Sequence, residues 1–105
     1  MRHFGLIGKS LGHSFSAKFF NGKFKAESID ADYQLFEIDD VADVDKLITD
    51  HNIEGFNVTI PYKESIIPHL DEITKEAHEI GAVNCVVIKE GRKVGHNTDI
   101  TGIEA

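Results

Sequence analysis

The chain has 105 residues, enough for one compact domain and too few for two. At 41% hydrophobic and 28% charged it has the composition of a globular protein, and no run of about eighteen apolar residues offers a transmembrane helix. Eighteen acidic against eleven basic residues give a net charge of −7 with no basic cluster, which excludes a nucleic-acid surface and requires local donors for any bound anion.

The opening Met1-Arg2-His3-Phe4-Gly5 lacks the apolar stretch and cleavage site of a signal peptide. Phe4 to Ile7 is an apolar run closed by Gly8 and predicts a buried first strand. Phe15, Phe19, Phe20 and Phe24 recur at helical spacing, predicting a helix from near Ser14 to Glu27. Tyr33 to Ile38 predicts a second strand. Val41, Val44, Leu47 and Ile48 mark an amphipathic helix that Asp39 or Asp40 can cap.

Phe56, Val58 and Ile60 alternate with Asn57 and Thr59 at the period of a strand. Pro61 ends that strand and suits the first position of a helix. Ile73, Ala77 and Ile80 line another helix, stopped by Gly81. Val83–Lys89 and Arg92–Thr98 flank Glu90-Gly91 as the arms of a β-hairpin. Strands alternating with helices predict an α/β chain, a three-layer α/β/α domain whose sheet is mainly parallel with one antiparallel strand. Asp99 to Ala105 reads as a helix cut off after about one turn, too short to be stable alone, so a longer parent protein is expected.

The single Cys85 lies in an apolar run and has no partner for an internal disulfide. It reads as a small buried hydrophobe in a reducing, cytoplasmic protein. The six histidines are scattered, with no pair at helical ligand spacing, so no metal site is expected.

Open parallel sheets bind ligands beyond the carboxyl ends of their strands, and the polar residues of this sequence collect there. After the first strand come Ser14 and Ser16; after the third come Asn57, Thr59 and Lys63; the hairpin ends on Asn97, Thr98 and Asp99. A two-residue turn at Glu90-Gly91 sets Lys89 opposite Arg92 and, counting outward, Asn84 opposite Asn97, beside Asp99. Each residue also has an ordinary use. Ser14 or Ser16 can cap the helix and Asp99 can cap the next, Thr59 is common in strands, and Lys63 can be a solvated surface charge. Only one serine can be the cap, however, and two hydroxyls at a helix amino end suit a carboxylate or phosphate. Asn57 is out of place in a strand. Lys63 falls where a helix dipole disfavours a cation, and facing Asp99 it would form a pair able to exchange a proton with a bound hydroxyl. No dinucleotide fingerprint occurs anywhere in the chain.

Four segments in order resemble the shikimate dehydrogenase family: Gly5-Leu6-Ile7-Gly8 with His13-Ser14-Phe15-Ser16; Asn57-Val58-Thr59-Ile60-Pro61-Tyr62-Lys63; Gly81-Ala82-Val83-Asn84; and Asn97-Thr98-Asp99 with Gly102. The second is the most specific. The resemblance implies reversible NADP-dependent reduction of 3-dehydroshikimate to shikimate in aromatic amino-acid (chorismate) biosynthesis. It implies that Ser14 and Ser16 hold the substrate carboxylate, and that Thr59, Lys63, Asn84 and Asp99 bind ring hydroxyls, with Thr98 adjacent. Lys63 is the implied acid/base and Asp99 its partner. Ser10 and Ala17 stand where the family usually has proline, a change in loop stiffness rather than in chemistry. The family's NADP-binding Rossmann domain follows the helix after Asp99, so residues 1–105 correspond to the substrate-binding domain alone, with no cofactor-binding residues and no expected hydride transfer. A quinate or quinate/shikimate dehydrogenase shares these motifs. A non-catalytic metabolite-sensing relative is disfavoured by the joint presence of Lys63 and Asp99, and a phosphate-binding flavodoxin-like domain by the lack of a Gly-rich loop.

Overall fold

The computed structural model describes residues 2–12 and 16–97, and of Ser16 the backbone only. The chain runs β1 (Arg2–Gly8), α1 (Ser16–Ala26), β2 (Ala31–Glu37), α2 (Val44–His51), β3 (Ile53–Val58), α3 (Tyr62–Ser65), β4 (Glu72–Ile73), α4 (Lys75–Ile80), β5 (Cys85–Lys89) and β6 (Arg92–His96). The six strands form one sheet in the order β2-β1-β3-β5-β6-β4. β1 pairs in parallel with β2 and β3, and β4 with β6, whereas β5 is antiparallel to both its neighbours. The expected single antiparallel strand is therefore β5, the first arm of the hairpin.

The helices end where local chemistry stops them. The Asp40 carboxylate accepts from the Ala42 N–H and caps a 3₁₀ turn leading into α2, and Asn52 closes α2 in the left-handed conformation. The Thr74 hydroxyl caps α4 by accepting from Ala77 N–H, and Gly81 at φ 79° ends it. In the hairpin, Glu90 (φ 53°) and Gly91 (φ 78°) both take positive φ, the signature of a tight turn whose twist matches its strands. Lys89 accordingly pairs with Arg92, and Cys85 with His96.

Pleating sends neighbouring residues to opposite faces, so Leu6 and Ile7 enter different cores. On one face Ile7, Phe56, Val58 and Val86 pack with Val44, Tyr62, Ile66, Ala77 and Val83 beneath α2, α3 and α4. On the other, Leu6 and Tyr33 pack with Leu11 and with Phe20 and Phe24 of α1. Apolar cores on both faces are what a three-layer α/β/α domain requires. Burial pushes the Cys85 thiol up, in keeping with a packing role. Among the described residues no helix is long and apolar enough to cross a membrane.

Four expectations are corrected. Ile60 does not belong to β3, which ends at Val58, and its side chain is 76% exposed because the chain turns there: Tyr62 N–H donates to the Thr59 carbonyl. The helix after Pro61 is only four residues long, with Pro61 at its cap position rather than inside it. Ile73 lies in the two-residue strand β4, not in a helix, and Ile80 is 62% exposed rather than lining the core. Phe19 likewise faces solvent, although Phe20 and Phe24 are buried as the helical spacing requires.

Candidate functional site

The carboxyl ends of β1 and β3 meet the amino end of β5, and the antiparallel sense of β5 is what brings its first residue there. Ile7 of β1 stands opposite Val58 of β3. Thr59 N–H then donates to the Ile7 carbonyl at 3.0 Å, carrying the pairing one residue past the strand. Val58 N–H donates to the Asn84 carbonyl at 2.9 Å, and Asn84 N–H to the His96 carbonyl at 3.0 Å. Asn84 is thus held by its own backbone between the ends of β3 and β6. Asn97 follows β6 and donates through its amide to the Ala82 carbonyl at 3.0 Å, bracing the turn that precedes Asn84.

Lys63 enters through α3. Its carbonyl accepts from Val83 N–H at 2.7 Å, the residue next to Asn84. Thr59, Lys63 and Asn84, three of the residues singled out in the sequence, are therefore brought to one end of the sheet by backbone bonds that run through Ile7, Val58 and Val83. All three side chains are partly exposed. Among the described residues neither the Thr59 hydroxyl nor the Lys63 ammonium is engaged by a hydrogen bond or ion pair. A hydroxyl, an ammonium and a carboxamide carried at the same end of the sheet make a donor-rich rim, suited to a ligand with several oxygen atoms and consistent with local donors acting against a net charge of −7. Ser14, Thr98 and Asp99 lie outside the described residues, as does the Ser16 side chain; Ser16 is the first residue of α1.

The loop after β1 is anchored at the same end. Leu11 N–H donates to the Glu37 carboxylate at 2.7 Å, and Ile38 N–H to the Gly8 carbonyl at 2.9 Å. Gly8 has a role that spacing alone did not reveal. A Cβ on Gly8 would lie 2.6 Å from Thr59 Cγ2 and 2.7 Å from Leu11 Cδ2, so the Thr59 side chain rests on the bare Gly8 backbone. Gly8→Ala is expected to fold, at a cost of about 1–3 kcal/mol from the forced shift of Thr59 and Leu11. It should also weaken ligand binding through Thr59, as compared by thermal unfolding and titration of variant and parent. Unchanged binding would show that the Thr59 position does not matter.

Asn57, the unexpected polar residue of β3, donates from Nδ2 to the Tyr33 hydroxyl at 2.9 Å. Tyr33 is 1% exposed, and burial pushes its phenol up to about 12 despite the opposing hydrogen bond from Asn57. The position of Tyr33 at the start of β2 carries no sequence signal for such a link. Among the described residues no cluster of His, Cys, Asp or Glu could hold a metal ion.

The sequence profile of the family described as "Shikimate dehydrogenase substrate binding domain" matches residues 6–86. The chain is 45% identical over 104 residues to shikimate dehydrogenase (NADP(+)) of Clostridium perfringens, covering 97% of this chain and 38% of that protein. It superposes with a TM-score of 0.88 on shikimate dehydrogenase 1 of Peptoclostridium difficile, at 42% identity over 99% of this chain and 39% of the other. The TM-score is 0.87, at 36% identity, to shikimate 5-dehydrogenase of Listeria monocytogenes in complex with shikimate and NAD, covering 99% of this chain and 37% of that one. The chain thus spans well under half the length of the relatives it matches.

Proposed function

The chain belongs to the shikimate dehydrogenase substrate binding domain family, and from that membership we propose that it binds 3-dehydroshikimate and shikimate for their reversible NADP-dependent interconversion. The observation that carries this reading is the convergence of Thr59, Lys63 and Asn84 at the carboxyl ends of β1 and β3. Shikimate is a carboxylate bearing ring hydroxyls, and the rim offers donors and acceptors to match. In this reading Ser14 and Ser16 take the carboxylate, helped by the first N–H groups and the dipole of the helix that Ser16 opens. Thr59, Asn84 and Asp99 order the ring hydroxyls.

Reduction of the ring ketone adds a hydride to carbon and a proton to oxygen. Lys63 as ammonium gives that proton and as amine takes it back in the reverse direction, with Asp99 orienting it and balancing its charge. The residues present include no dinucleotide fingerprint, so NADP would be held by the further domain that makes up the rest of the relatives' length. This chain's part is to bind and orient the ring and to move the proton.

A titration of shikimate into the ¹⁵N-labelled chain tests the reading. Binding is expected to shift the amides of Thr59, Lys63 and Asn84, with an affinity below that of a full-length relative, of whose length these residues match under two fifths. Incubation with NADPH and 3-dehydroshikimate should give no turnover. Shifts confined to residues away from the β1 and β3 ends, or turnover by the pure 105-residue chain, would sink the assignment.

A further inference from the structure

Beneath the rim lies a polar chain that crosses the α1 core. Tyr33 of β2 stands level with Phe4 of β1, whereas Asn57 of β3 stands level with Leu6. The phenol therefore reaches diagonally over β1, toward the carboxyl ends of the strands, to accept from the Asn57 amide at 2.9 Å. At its other end Tyr33 is clamped by α1. Asn21 Nδ2 donates to the Tyr33 carbonyl and Asn21 Oδ1 accepts from the Tyr33 N–H, each at 2.8 Å.

Packing explains the ring but not the hydroxyl. The ring is 1% exposed and stacks on Phe20 at 4.6 Å, which a phenylalanine would do as well. A hydroxyl buried among apolar side chains costs free energy unless it is bonded, and an asparagine in a strand is itself disfavoured. Two groups that each disfavour their place are kept together, and the link they form ends two residues before Thr59. Its other end, Asn21, lies in the helix that Ser16 opens.

We propose that Tyr33 is a positioning residue of the substrate site. Through the chain Asn57–Tyr33–Asn21 it holds the end of β3, and with it Thr59, in fixed register against α1, so that the two sides of the site keep the spacing a bound ring bridges. This rests on the reading of the chain as a shikimate-binding domain.

The test uses the ¹⁵N-labelled 105-residue chain, with shikimate as the probe. Tyr33→Phe is expected to weaken shikimate binding about fivefold, the worth of one buried hydrogen bond. Asn57→Ala should do about the same, and the double variant should be no weaker than either single one. Without ligand, the Thr59 amide, bonded to the Ile7 carbonyl, should exchange faster in Tyr33→Phe. A role confined to packing would lower the unfolding midpoint yet leave the folded-state Kd and the Thr59 exchange at parent values, and that result overturns the proposal. Additive losses in the double variant overturn it as well. If the parent chain binds no shikimate, the functional reading fails. The positioning role is then decided by the ligand-free exchange, where faster exchange supports it and unchanged exchange overturns it. Should Tyr33→Phe not fold, Asn57→Ala removes the same bond from its other end and is read by the same two measurements.

Discussion

Lys63→Ala, made in a protein that joins this domain to an NADP-binding domain, is expected to lower the maximal rate of 3-dehydroshikimate reduction by about 10²–10⁴-fold, the usual worth of a positioned acid/base. The affinity for substrate should change far less. The reason is the timing of the interaction: proton transfer to the ring oxygen belongs to the transition state, whereas a contact to a hydroxyl is present throughout. Ser14→Ala is the matched control. A carboxylate that does not react is bound alike in ground and transition states, so its loss should raise KM and leave kcat nearly unchanged. Steady-state kinetics on both variants, after a check that each is folded, separates the roles. A near-normal kcat in Lys63→Ala would reduce Lys63 to a binding residue. The structure bears on this prediction through α3. The helix is only four residues long, so little dipole opposes a cation at Lys63, and its carbonyl is already engaged by Val83 N–H, which fixes the backbone from which the side chain extends.

The largest expected effect on stability is that of Phe56→Ala. Phe56 is fully buried in the middle of β3, which lies between β1 and β5, so its ring meets the core at the centre of the sheet. Removing a buried phenylalanine costs about 3–5 kcal/mol through lost transfer free energy and the cavity left behind. Domains of this size are stable by only about 5–15 kcal/mol. Chemical denaturation of Phe56→Ala should therefore show a midpoint far below that of the parent, or a chain already largely unfolded in buffer. By contrast Phe19→Ala, on the exposed side of α1, should shift the midpoint by only about 0.5 kcal/mol. Equal losses for the two would mean that the sheet centre is not where the domain derives its stability.

Much of this architecture is local and therefore readable along the chain. The spacing of Phe20 and Phe24, the alternation in β3, the glycine that stops α4 and the Glu90-Gly91 turn are short-range patterns, and each appears in the structure as its period or φ demands. The hairpin register from Lys89–Arg92 to Cys85–His96 followed by counting alone, because a two-residue turn leaves no freedom; past it Asn84 N–H donates to the His96 carbonyl rather than pairing with Asn97, one residue off the count. The boundaries were less legible. Ile60 continues the apolar alternation of β3, but alternation records only which face a residue would occupy if the strand went on, and it is the turn at Thr59–Tyr62 that ends it. Strand β4, two residues long and held by β6, is too short to carry any period.

Apart from the short strand β4, the sequence by itself determined the element types, the α/β class, the single antiparallel strand and the polar residues Thr59 and Asn84 that gather where strands end. Only the tertiary structure decided that β1 lies between β2 and β3, that Thr59 rests on Gly8, 51 positions earlier in number, and that the Tyr33 hydroxyl meets Asn57 across an intervening strand. The physical reason is the range of the forces involved. Propensity, capping and pleat act over a few residues and leave their mark in each short segment, whereas strand order and side-chain contact depend on which distant surfaces bury each other best, a property that no single segment contains.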